Sequence, residues 1–138
     1  MSNLFTRFNK TQIFTISREI FQQNVWLDAQ DIFNKDVEAT GEPQPHILVG
    51  AWKHSFTGEQ IIPGAPAHKY TLGVIIEEGG EETYYYVNCP SFMTADFDHI
   101  CADKRLVAAI NKRECKIIPY EYESRGEVRY AFRFYDEK

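Results

Sequence analysis

The chain has 138 residues, of which 43% are hydrophobic, 14% aromatic and 25% charged, and its formal net charge is -5 at pH 7. A chain of this length can bury a core without a disulfide or a metal, so we expect one domain over residues 1–138. Because the net negative charge repels a phosphate backbone, no nucleic-acid partner is predicted.

The amino-terminal sequence and the spacing of the cysteines both predict a cytoplasmic protein. The amino-terminal sequence lacks the apolar run of a signal peptide, and no stretch of about 18 apolar residues follows it, so no membrane contact is predicted. Cys89, Cys101 and Cys115 are odd in number and too far apart for paired zinc ligands. They are read as free thiols of a cytoplasmic protein, and neither a metal nor a cofactor is predicted.

The first predicted element is an amphipathic helix that starts after Ser17, its N-cap, and ends by Gly41. Apolar residues recur along this segment at spacings of three to four, as on one helix stripe: Phe21, Val25, Ala29, Ile32 and Phe33. A strand is predicted over 46–56, and the glycine- and proline-rich segment 57–68 that follows it suits neither helix nor strand. That connection either covers a binding site or is a hairpin loop docked by Ile61 and Ile62.

The stretch IIEEGGEETYYYVNCP predicts a hairpin with a two-residue turn at Gly79-Gly80. This register pairs Val74 with Tyr85 and Gly73 with Tyr86, and it places Tyr85 on the core face of the sheet. Tyr84 and Tyr86 then share the opposite face with Gly73, where we expect their rings to be accessible.

The tip of this hairpin is acidic, because Glu78 faces Glu81 and Glu77 faces Glu82. Like charges at opposed positions cost stability. Two explanations stay open: the tip keeps a sheet edge soluble, or it contacts a basic partner.

The remaining chain predicts a helical region and a second hairpin. Residues 91–115 are predicted helical with a break near Asp103, and 116–138 form a hairpin. A three-residue loop over 124–126 is predicted, since it pairs Tyr122 with Val128 and sets Glu121 opposite Arg129.

Two polar groups are candidates for chemistry. His99 lies near Asp96 and Asp103 in sequence, a spacing that suits either a general base or a solvated helix face. His54 and His68 bracket the long connection, and Trp52 shares a strand face with His54, so these residues together with Tyr84 and Tyr86 are candidates to line a pocket. No phosphate loop, metalloprotease helix or nucleophile motif is present in the sequence.

The sequence therefore predicts an α+β fold, with an amphipathic N-terminal helix packed on an antiparallel sheet of about five strands and a second helix before a C-terminal hairpin. The leading functional hypothesis is a non-enzymatic binding protein, either a homodimer or the acidic partner or inhibitor of a basic macromolecule such as a toxin. The alternative is a small-molecule-binding domain or small enzyme with an aromatic and histidine-lined pocket. The predicted binding residues are Tyr84, Tyr86, Trp52, His54, His68, Glu78 and Glu81, and no catalytic residue is predicted.

Overall fold

A computed structural model describes residues 13–56, 63–64 and 67–135. Six strands form one sheet in the order β1-β4-β3-β2-β5-β6: β1 (Phe21–Leu27), β2 (His46–Ser55), β3 (His68–Glu78), β4 (Glu81–Asn88), β5 (Lys116–Ser124) and β6 (Glu127–Tyr135). β1 runs parallel to β4, and the other neighbours are antiparallel. The prediction of an α+β fold is confirmed. The sheet, predicted to be antiparallel with about five strands, is mostly antiparallel and has six strands within the described residues.

The helices of the described chain are α1 (Ala29–Thr40), α2 (Thr94–Cys101) and α3 (Lys104–Asn111), with short 3-10 helices at Arg18–Ile20 and Ser91–Met93. The predicted break near Asp103 is confirmed: its carboxylate accepts hydrogen bonds from the backbone N–H groups of Arg105 and Leu106 and so begins α3. Within the described residues, no helix has both the length and the apolar character needed to cross a membrane.

The predicted start of the first helix is wrong. Residues 21–27 form strand β1, and α1 begins only after Asp28, whose carboxylate accepts from the Asp31 N–H while Asp31 accepts from the Asp28 N–H. Asn24, at φ 64°, interrupts any helical spacing upstream of this cap. The end of the helix is confirmed, since Gly41 closes it in the left-handed conformation.

The register predicted for the β3–β4 hairpin is confirmed, with Val74 opposite Tyr85 and Gly73 opposite Tyr86. Gly79 and Gly80 both have positive φ, as the two-residue turn requires. The expectation that the Tyr86 ring is accessible is wrong, because Tyr86 is only 3% exposed.

The loop predicted for the C-terminal hairpin is also wrong. β5 and β6 are joined by a two-residue turn in which Arg125 and Gly126 have positive φ, so Tyr122 lies opposite Arg129 and Glu121 opposite Tyr130. This turn matches strand twist better than the predicted three-residue loop. The predicted Glu121–Arg129 pair does not form, and Arg129 instead bonds Glu127 at 3.2 Å.

Apolar residues fill both sides of the sheet. The main core includes Ile32 of α1, Phe97 of α2 and Ile110 of α3, together with strand residues such as Leu72, Val74 and Phe132. On the other face, a second cluster is formed by Phe21, Val49, Ile75 and Tyr86, with Ile16, Ile47, Trp52 and Tyr84 packed against it. β3 is therefore buried on both faces, which the alternating sequence pattern did not predict. The predicted docking residues Ile61 and Ile62 lie outside the described residues.

Candidate functional site

Trp52 lies in the second cluster and brings the predicted aromatic residues together. Its ring makes edge contacts with Phe21 at 5.5 Å and with Tyr86 at 6.0 Å between centroids. The Arg18 guanidinium lies 4.8 Å from the Trp52 ring centroid and 5.0 Å from that of Tyr86, and Arg18 Nε donates to the Tyr86 hydroxyl at 3.1 Å. The cation is thus held in place by two rings and one hydrogen bond.

The segment before β1 passes from one face of the sheet to the other. Phe14 is buried in the main core, whereas Ile16 packs on the second cluster. Asn111 of α3 fixes this segment, since its amide donates to the Ile13 carbonyl at 2.9 Å and its oxygen accepts from the Thr15 N–H at 3.0 Å. Two residues ahead of the first strand, Phe14 and Arg18, therefore contact the Trp52 ring.

A pocket of about 590 Å³, which we call the His68 pocket, opens beside this segment. Its apolar wall is formed by Ile13, Phe14, Ala51, Trp52 and Ala102, and its polar part by Arg18, Lys53, His68, Tyr70, Asp98 and Cys101. Its volume lies within the range of small-molecule sites, roughly 300 to 1,000 Å³. Two of the predicted binding residues, Trp52 and His68, line this one pocket.

Asp98 organises the polar part of the His68 pocket. Its two carboxylate oxygens lie 2.7 and 2.9 Å from Nε2 of His68, and the Tyr70 hydroxyl donates to it at 2.7 Å. The Tyr70 hydrogen bond and the neighbouring His68 lower the pKa of Asp98. The carboxylate therefore carries its charge at neutral pH, and it fixes the orientation of the imidazole.

The hydroxyl of Tyr70 and the thiol of Cys101, both in this pocket, have raised pKa values. Burial raises the pKa of Tyr70, as does its hydrogen bond to Asp98, and burial also raises the pKa of the Cys101 thiol. A nucleophilic cysteine needs a lowered pKa, and an acid–base tyrosine needs one nearer the working pH. Neither Tyr70 nor Cys101 therefore has the pKa of an activated base or nucleophile.

The sequence did not predict the His68–Asp98–Tyr70 cluster. His68 and Tyr70 are two residues apart on one strand, a spacing that places them on one face and was readable from the sequence. Asp98 comes from α2, and only the packing of that helix over β3 brings its carboxylate to the pair. The sequence also missed a buried pair in which His46 Nε2 lies 2.9 Å from both oxygens of Asp36, joining α1 to β2.

A second pocket, of about 300 Å³, shares Arg18, Trp52 and Lys53 with the His68 pocket. We call it the basic pocket, because it adds Lys69 and His54 to Arg18 and Lys53. Its other lining residues are Trp26, Thr71 and Asn88. The predicted residue His54 lies here, so the structure places His54 and His68 in adjoining pockets rather than in one.

Several predicted binding residues are engaged within the chain. Glu78 accepts from the Tyr85 hydroxyl at 2.5 Å and pairs with Lys35 at 3.4 Å. The hydrogen bond from Tyr85 and the charge of Lys35 lower the pKa of Glu78. The same hydrogen bond to Glu78 raises the pKa of Tyr85 to about 12. Tyr84 accepts a hydrogen bond from Arg113 at 2.5 Å. Glu81, at the turn, is exposed.

His99 is exposed at the edge of a third pocket, of about 680 Å³, which we call the apolar pocket. Asp96 lines the same pocket, whereas the Asp103 carboxylate is occupied in capping α3. Large apolar side chains supply most of its surface: Phe92, Met93, Ile100, Leu106, Ile110, Phe132 and Phe134.

The three cysteines are free thiols, each partly buried and each in the wall of a different pocket. Cys101 lines the His68 pocket, Cys115 the apolar pocket, and Cys89 a pocket of about 400 Å³ beside the start of α1. Burial raises the pKa of Cys89 to about 12 and that of Cys115 to about 11. Each thiol is therefore a slow but site-specific chemical probe of its own pocket.

Among residues 13–56, 63–64 and 67–135, no group of three or more His, Cys, Asp or Glu side chains is arranged to hold a metal ion. Comparison of the chain with protein-family models, with curated proteins and with solved structures gives no match.

Proposed function

We propose that the protein is a non-catalytic binding protein for a small organic carboxylate with an apolar body, and that the His68 pocket is its binding site. The observation that carries the proposal is the combination, in one open pocket of about 590 Å³, of an apolar wall and a cluster of fixed polar groups. Small-molecule sites have this composition.

The charges of the pocket favour a carboxylate. Asp98 contacts Nε2 of His68 and accepts from Tyr70, so its oxygens are already occupied within the cluster. Arg18 and Lys53 remain as cationic donors in the same wall, which gives the pocket an excess of positive charge. A singly charged acceptor satisfies these donors through charge-assisted hydrogen bonds.

The apolar wall fixes the other end of the ligand. Phe14 is 2% exposed and therefore rigid, and the Trp52 ring is held by Phe21, Tyr86 and Arg18. A flat or short aliphatic group placed against these rings loses contact with water, which contributes about 25 cal/mol per Å² of apolar area. Three partly buried free thiols support a reducing, cytoplasmic setting for this role.

A homodimer is a second candidate. Three large apolar side chains at the apolar pocket stay exposed, with Phe92 at 56%, Leu106 at 40% and Phe134 at 42%. Contiguous exposed apolar surface is typical of protein interfaces.

The binding proposal is tested with phenylacetate as the probe and 2-phenylethanol, its uncharged analogue, as the control ligand. Alkylation of Cys101 by iodoacetamide, followed by mass spectrometry, reports whether the His68 pocket is filled, and Cys89 and Cys115 are internal controls. We expect phenylacetate to slow alkylation of Cys101 alone, and at about tenfold lower concentration than 2-phenylethanol.

A matched pair of variants locates the site. Ala102, the exposed residue that follows α2, lines the His68 pocket, whereas Ala95 is exposed on α2 itself and lines none of the pockets described above. Ala102→Trp should fill the pocket and remove the change that phenylacetate makes in the rate of Cys101 alkylation, whatever that rate is without ligand. Ala95→Trp should retain the change. Protection that is absent for both probes, or that survives Ala102→Trp, would show that this pocket is not the binding site.

A further inference from the structure

The basic pocket concentrates positive charge in a chain whose net charge is -5. Arg18, Lys53 and Lys69 line it together with His54, and among the described residues no Asp or Glu belongs to its wall. The carboxylate of Asp98 lies in the adjoining pocket. From there it interacts electrostatically with Lys53 and makes the potential near these cations less positive. A low-dielectric concavity lined by one sign of charge attracts ions of the other sign.

An aromatic surface stands next to these cations. The Trp26 ring stacks on Tyr86 at 5.0 Å between centroids and 18° between planes, yet the residue remains 48% exposed. An indole held rigid on one side and open on the other is a stacking surface for a planar ligand group. Trp26 and Trp52 are the aromatic residues of this pocket.

The cationic groups are partly organised in advance. Arg18 is held over Trp52 and bonded to Tyr86, so it loses little side-chain entropy on binding an anion. Lys69 lies on β3 directly across from His54 on β2, which places both side chains on one face of the sheet. Arg18 and Lys53 line the same pocket, so several cationic groups border one concavity.

We propose that the basic pocket binds a phosphate monoester that carries an aromatic ring, with the phosphate among Arg18, Lys53 and Lys69 and the ring against Trp26. A dianionic phosphate matches several cations with no carboxylate in the wall, whereas the His68 pocket, with Asp98, suits a single charge. A mononucleotide has this combination of phosphate and planar ring. A long nucleic acid does not fit, because the net charge of the chain repels an extended phosphate backbone.

The experiment is a calorimetric titration with three probes: adenosine 5′-monophosphate, adenosine and inorganic phosphate. We expect the monophosphate to bind at least about tenfold more tightly than either fragment, since each fragment makes only one of the two contacts. Inorganic phosphate should compete with the monophosphate, and added salt should weaken the monophosphate far more than adenosine.

Two variants separate the contributions. Lys69→Gln should weaken the monophosphate by about five- to tenfold and leave adenosine unchanged, whereas Trp26→Leu should weaken both. Lys104→Gln removes an exposed lysine of α3 that does not line the pocket, and it should change neither affinity by more than about twofold.

The proposal is overturned if the monophosphate does not bind, if Lys69→Gln and Lys104→Gln weaken it equally, or if a single-stranded oligonucleotide binds more tightly than the monophosphate. The two ligands should exclude each other, because the pockets share Arg18, Trp52 and Lys53, but each variant changes a residue of one pocket only. Ala102→Trp should abolish protection of Cys101 by phenylacetate and leave binding of the monophosphate intact, so either proposal can fail alone.

Discussion

Gly73 provides the sharpest test of the packing around Trp52. A Cβ added at Gly73 would lie 2.8 Å from Cζ of Phe21 and 2.9 Å from two ring carbons of Trp52, whereas ordinary contacts begin at 3.4 Å. The rings would have to move by about half an ångström, and such overpacking typically costs about 1 to 3 kcal/mol. Alanine in a strand gains about 0.5 to 1 kcal/mol over glycine, so the centres of the two ranges predict that Gly73→Ala lowers the free energy of unfolding by about 1 kcal/mol.

Urea denaturation measures this loss, and near-ultraviolet circular dichroism reports the displacement of Trp52. In a Trp52→Leu background two of the three close contacts are gone, so the penalty for alanine should shrink by about 1 kcal/mol in a double-mutant cycle. A Gly73→Ala protein that is as stable as the wild type would refute this description of the second cluster.

Three other substitutions and one charge reversal give further tests. Tyr86→Ala should lower stability in urea by about 3 to 5 kcal/mol, because the ring is buried, and a loss below about 1 kcal/mol would contradict its role in the second cluster. Tyr85→Phe should lower the urea midpoint at neutral pH, because it removes the hydrogen bond from Tyr85 to Glu78. The difference between wild type and variant should fade as pH falls through the lowered pKa of Glu78, and again as pH rises through the Tyr85 pKa of about 12. A difference that stays constant with pH would exclude this hydrogen bond. Leu106→Glu should abolish a homodimer seen by light scattering, and a wild type that stays monomeric at high concentration would remove that candidate. Reversing the charges of Glu78 and Glu81 should slow association with polylysine in a salt-dependent way, and unchanged association would leave the tip a solubilising feature.

The β3–β4 hairpin was predictable because its turn residues determine its structure locally. Strand β1 has no such local signal, which explains the error at the first helix. Two adjacent glycines demand a tight turn, and that turn fixes which residues face each other across the strands, so the pairing of Gly73 with Tyr86 followed from sequence alone. Residues 21–27 have apolar spacings compatible with a helix. Their strand conformation comes from pairing with β4, a partner that no local pattern reveals.

The candidate sites were predictable only in part, for a similar reason. Trp52, His54 and His68 were identified from their positions beside the long connection, and each lines a pocket. Their grouping depends on contacts between distant segments: Asp98 reaches His68 across 30 residues, and Arg18 reaches Tyr86 across 68. Tyr86 was expected to be accessible because nothing in the sequence shows that β1 and the segment before it cover that face.

The parallel pairing of β1 with β4 has a consequence for the order in which the molecule assembles. β1 leaves the ribosome early, yet its partner residues 84–87 are synthesised about 60 residues later, so β1 has no place to dock until the β3–β4 hairpin exists. The hairpin closes on its own turn and forms with little loss of chain entropy. We therefore expect the wall formed by Arg18 and Trp26 to be completed only after the β3–β4 hairpin has formed, and both pockets that share Arg18 to take shape at that stage.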